Sequence, residues 1–156
     1  MEKRFFEKDY IYDCETYPNF FSLAAMKADG TEKQVYEISD RKNETTELLD
    51  FLRKMKIEGC RMVGCNNINF DYCLIHWILQ KAVRAKRSNK TLKLKASQLY
   101  DQAQKIIDSS KGDGFGSTVR DHDVIIPQVD LFKLNHFDNK AKRTSLKLLE
   151  FNMRSD

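Results

Sequence analysis

Hydrophobic and polar positions follow two rhythms along this chain, and each change of rhythm marks an element. The run DYIYDCET, residues 9–16, reads as a first strand. FFSLAAMKADGTEKQVYEIS, residues 20–39, holds two apolar stretches around Ala28-Asp29-Gly30-Thr31, a composition suited to a tight turn, and predicts a hairpin. NETTELLDFLRKMKI, residues 43–57, then places Leu48, Leu49, Leu52, Met55 and Ile57 at helical spacing, with Asn43 available as a cap. RMVGCN predicts a short strand. FDYCLIHWILQKAVRA, residues 70–85, returns to period 3.6 through Leu74, Ile75, Ile78, Leu79 and Ala82.

ASQLYDQAQKIIDSS predicts a further helix and KGDGFGSTVRDHD a loop. VIIPQVDLFKL, residues 124–134, predicts a strand whose proline confines it to an edge or a bulge. TSLKLLEFNMRSD, residues 144–156, predicts the start of a helix. Three antiparallel strands followed by strand–helix units make an α/β domain with a mixed sheet.

At 156 residues, 41% hydrophobic and 32% charged, the chain has the size of one domain, residues 1–156. A net charge of +4 favours a polyanionic partner only weakly, so the placement of charge carries more than its sum. Lys81, Arg84, Lys86, Arg87, Lys90, Lys93 and Lys95 form a basic run without an acid. With Lys140, Lys142 and Arg143 it offers phosphate-neutralising side chains, Lys86, Arg87, Lys142 and Arg143 foremost, the alternative being a solvated face. Cys14, Cys60, Cys65 and Cys73 lack zinc-ligand spacing and predict reduced thiols in the cytoplasm. No run approaches the roughly 20 apolar residues that cross a bilayer, so no membrane partner is expected.

Chemistry enters with Asp13 and Glu15. Two residues apart on a strand, they share a face, and neighbouring carboxylates repel unless a cation lies between them. Hard oxygen ligands suit magnesium or manganese; the bland alternative is a pair of solvated acids at a strand end. In VGCNNINFDY, Asn66 and Asp71 fall at a strand-to-helix junction, where an acid also gains from the helix dipole.

Taken in order and spacing, YDCET and GCNNINFDY resemble the first two motifs of the DnaQ-like (DEDD) 3′–5′ exonucleases, and most nearly the proofreading domains of phage and prophage DNA polymerases. IPQVDLFKLNHFDNKAKRTSLKLLEFNMR resembles the segment that follows, and the likeness covers the chain except a basic insert at about residues 84–120. The resemblance implies a ribonuclease H-like fold, a mixed sheet with helices on both faces, and two divalent metal ions. It implies that Asp13 bridges both ions, Glu15 holds the ion that activates water, Asp71 holds the second, and Asn66 orients the substrate end. The implied partner is single-stranded DNA or a frayed DNA 3′ end, with the remainder of a polymerase as a further partner. Tyr17 and Tyr72, close to the motifs, are candidates to stack on terminal bases.

The family's third motif, Y-x-x-x-D or H-x-x-x-x-D on a late helix, is not found. YEISD, residues 36–40, has the pattern but lies in the early hairpin, and Asp130, Asp138 and Asp156 lack the partner residue. The expectation is an exonuclease domain cut before its last helices and weak or inactive in this form, the alternative being a catalytically incomplete nucleic-acid-binding module.

Overall fold

The computed structural model describes residues 7–111 and 118–136. In chain order the elements are β1 (Asp9–Tyr17), β2 (Phe20–Lys27), β3 (Gln34–Ser39), α1 (Thr45–Ile57), β4 (Arg61–Gly64), α2 (Asp71–Arg87), α3 (Ala96–Ser110), β5 (Gln128–Asp130) and α4 (Leu131–Asn135). The strands form one five-stranded sheet in the order β3-β2-β1-β4-β5. β1 pairs antiparallel with β2, and β2 with β3, while β1 with β4 and β4 with β5 run parallel. This is the α/β class with the mixed sheet that the alternating rhythms predict.

Two connections, β3–α1–β4 and β4–α2–α3–β5, join parallel strands and step the same way across the sheet. Crossovers of one hand that step in one direction lay their helices on one face. The core accordingly lies between one sheet face, with Tyr10, Tyr12, Cys14, Phe21, Leu23, Ile38 and Met62, and a helical layer that includes Leu48, Leu52, Met55, Leu74, Ile75, Ile78, Leu99 and Ile106. The opposite face is open among the described residues: Ile11 is 44% and Val35 64% exposed. The second layer of helices implied by the resemblance is not among the described elements.

The β2–β3 turn is fastened from below. Gly30, at φ +86°, makes the reversal, and the Asp29 carboxylate accepts from the Thr31 N–H at 2.9 Å. Glu32 then accepts from the Tyr10 hydroxyl at 2.7 Å and pairs with Lys27 at 3.1 Å and Lys54 of α1 at 3.0 Å. The Tyr10 hydrogen bond first, then those from Lys54 and Lys27, hold its carboxyl down at about 2.

Four sequence expectations need correction. Ile57 closes α1 but is 83% exposed, since the helix ends as its apolar stripe rotates away from the sheet. Asn43 stands one residue before the helix boundary, its carboxamide bonding Thr45 and the Leu94 carbonyl. Asp121–Asp123 is a short 3-10 turn rather than open loop. Only Gln128–Asp130 of the predicted last strand pairs, because Pro127 precedes it and the Asp130 carboxylate caps α4 through the Phe132 and Lys133 amides. β5 lies at a sheet edge, where its neighbouring proline is tolerated. The predicted helix at 144–156 and most of the glycine-rich loop lie outside the described residues.

Gly64, at the end of β4, admits Asn67: a Cβ there would meet the Asn67 Cβ at 2.8 Å and Cγ at 3.0 Å. Asn67 is fully buried. Gly64→Ala is expected to lower stability by about 1–3 kcal/mol, read as a reduced urea midpoint, with the far hairpin unaffected by amide hydrogen exchange.

Candidate active site

β1 occupies the middle of the sheet, and its alternation sorts its side chains. Tyr10, Tyr12 and Cys14 enter the core, whereas Ile11, Asp13, Glu15 and Tyr17 stand on the open face. Across the β1–β2 ladder, Asp13 faces Ala24 and Glu15 faces Ser22, so only small side chains lie opposite the acids. Tyr17 faces Phe20, their ring centroids 6.4 Å apart, and Tyr17 is 54% exposed. An aromatic pair thus closes the strand end beside the two acids.

The third acid arrives from the helical side. β4 ends at Gly64, and Asn66 turns the chain in the left-handed region at φ +59°, a conformation asparagine tolerates better than most residues. The Asn67 carbonyl accepts from Tyr72 N–H at 2.8 Å, which seats the first turn of α2 and with it Asp71. Asp71 is 8% exposed. Its carboxyl is pushed up to about 7, first by burial and then by the charge of Asp13, while hydrogen bonds from the Asp71 and Cys14 backbone and the Cys14 thiol act the other way. Asp13 and Asp71, far apart in sequence, are therefore electrostatically coupled in the fold.

Glu15 shares the face of Asp13. Among the described residues no group of three or more His, Cys, Asp or Glu side chains converges tightly enough to enclose a metal ion. No salt bridge reaches Asp13, Glu15 or Asp71 among the described residues. Asp13 and Glu15 offer hard oxygen donors on the open face, and Asp71 a buried one at the start of α2.

The other predicted contacts divide. Asn66 lies at the junction, its backbone N–H donating to Asp130 at 2.8 Å and its side-chain oxygen accepting from Asn69 at 2.9 Å. Tyr72 is 1% exposed, and its hydroxyl accepts the Ile125 N–H at 2.7 Å and the Ile126 N–H at 3.2 Å. It holds the segment before β5 and has no face for a base, whereas Phe20 stands beside Tyr17. Lys86 and Arg87 close α2 at the end remote from Asp71, roughly 22–24 Å away at 1.5 Å per residue. Lys142 and Arg143 lie outside the described residues.

Sequence reasoning passed over a second basic feature. Lys93 and Lys95, the tail of the basic run, line a cavity of about 810 Å³ with Arg41, Lys42 and the Pro18–Asn19 turn that follows β1. Arg41 and Lys42 are paired there with Glu37 and Glu44. The signal available in the sequence was charge alone; which lysines reach the acid end of the sheet depends on where α2 stops and α3 starts.

No family model, curated protein or solved structure matches the chain.

The raised proton affinity of Asp71 fixes a sign. Its carboxyl binds a proton more tightly folded than unfolded, so the stability this confers is complete below about 3.8 and is lost as pH rises through about 7. Asp71→Asn is expected to be more stable than the parent at pH 8, by up to about 4 kcal/mol, and equal to it near pH 4, as read from denaturant midpoints. Manganese is expected to raise the parent's midpoint at pH 8 and not that of the variant.

Proposed function

We propose that this chain is the exonuclease-like domain of a DnaQ-like (DEDD) 3′–5′ exonuclease with a ribonuclease H-like fold, acting on the 3′ end of single-stranded DNA. The observation that carries this reading is the buried Asp71 carboxyl at the start of α2, hydrogen-bonded by Cys14 of β1 and raised first by burial and then by the charge of Asp13. The five-stranded mixed sheet, with β1 at its centre, is compatible with that fold.

Asp13 and Asp71 would hold the cation, magnesium or manganese, with Glu15 extending the acidic face toward the Tyr17–Phe20 pair; such an ion would supply positive charge to the phosphodiester and ease deprotonation of water. Tyr17 and Phe20 offer π-faces to the terminal base, a contact that tolerates any sequence. Lys93 and Lys95 take the phosphates of the upstream strand as it passes the Pro18–Asn19 turn, while Lys86 and Arg87 lie too far along α2 to share that path.

A second reading, a module that binds nucleic acid without cutting it, draws on one observation: no three-ligand group converges among the described residues. The two readings part on a 5′-labelled single strand incubated with magnesium or manganese. Stepwise shortening that needs the cation and falls at least ~100-fold in Asp13→Ala supports the enzyme; binding without shortening supports the module. In the same binding assay, the Lys93→Gln, Lys95→Gln double variant is expected to flatten the salt dependence by about 1.4 in log–log slope. Lys86→Gln with Arg87→Gln should leave it unchanged, and the reverse pattern refutes the assigned path.

A further inference from the structure

Asp130 is an acid that neither of the acid-bearing motifs contains, yet it is 3% exposed and stands beside Gly64 in the β4–β5 ladder. One of its carboxylate oxygens accepts from Asn66 N–H at 2.8 Å, Phe132 N–H at 3.0 Å and Lys133 N–H at 3.4 Å, and the other from Ile68 N–H at 3.2 Å. Each carboxylate oxygen has about two lone-pair positions; three amides crowd one oxygen and a single amide addresses the other. Buried and bonded in this way, Asp130 is engaged by the backbone around it.

The amides it holds belong to the turn that sets the second motif in place. Asn66 and Ile68 flank Asn67, whose carbonyl accepts the Tyr72 N–H, one residue beyond Asp71. A single carboxylate on β5 thus fixes the entry of the turn, and the turn's own carbonyl fixes the start of α2. We propose that Asp130 is a positioning residue that holds the Asn66–Ile68 turn in the conformation that presents Asp71 to Asp13. The proposal rests on the metal-binding reading for its consequence, and on the turn geometry alone for its mechanism.

Two measurements test it on the full chain. The first is manganese affinity, read by electron paramagnetic resonance, in the parent, Asp130→Asn and Asp130→Ala. Replacing residues that orient a metal ligand weakens affinity by about 10–100-fold. That loss is expected for Asp130→Ala, with partial recovery in Asp130→Asn, which keeps one acceptor oxygen for the Asn66 amide. The second is amide hydrogen exchange in Asp130→Ala, which removes both acceptor oxygens: exchange at Asn66 and Ile68 is expected to accelerate at least about tenfold while amides paired between β1 and β2 keep their protection. Parent-like manganese affinity in both variants, or unchanged exchange at Asn66 and Ile68, overturns the proposal. If the parent itself binds no manganese, the metal reading fails, and the exchange measurement alone then decides whether Asp130 holds the turn.

Discussion

Strand β1 is enclosed by β2 on one side and β4 on the other, and the fixed alternation of its side chains is the constraint on which the molecule turns. Because Tyr10, Tyr12 and Cys14 are committed to the core, Asp13 and Glu15 have to emerge on the open face. A shift of one residue in the pairing of β1 would bury both acids and expose both tyrosines. The register is held by the Thr16–Phe21 and Cys14–Leu23 pairs on the apolar side, and by Glu32, which ties Tyr10 to the hairpin turn and to α1. Core packing and the exposure of the acids are therefore one structural decision.

Against that fixed strand, Asp71 arrives on the opposite, helix-covered side, and it pays for its burial in proton affinity rather than in a salt bridge. The charge of Asp13 adds to the burial instead of relieving it. Structural carboxylates elsewhere in this chain behave differently: Asp9 is gripped by the Arg61 guanidinium at 2.7 Å, and Glu37 by Arg41 at 2.6 Å. Asp9 and Glu37 are held by guanidinium groups, whereas Asp71 is held by hydrogen bonds from Cys14 and its own backbone and by no cation among the described residues.

Much of this was legible in the sequence, and what was not has physical reasons. Alternation in DYIYDCET and the 3.6 period of α1 and α2 suffice to order the strands and helices, and the two motifs suffice to nominate Asp13, Glu15 and Asp71. Tyr72 was misjudged because an aromatic next to a motif looks like a binding residue until its hydroxyl is found capping the backbone of a segment distant in sequence. Lys86 and Arg87 are carried to the end of α2 remote from Asp71, a placement that a run of charge does not reveal until its helix is placed. Asp130 was set aside for want of a motif, although an acid just before a short helical run is itself a capping signal. Contacts between residues far apart in the chain are what local pattern cannot supply.

The tether from β5 to the second-motif turn spans 64 residues for the Asn66 amide and 62 for that of Ile68. Closing so long a loop is entropically expensive early and rewarded only when the partners meet. As the nascent chain leaves the ribosome, the hairpin and α1 have local partners at once, but the junction at Asp71 stays slack until Asp130 has been synthesised and docked. The Asn66–Ile68 turn is thus completed by a residue more than sixty positions later in the chain.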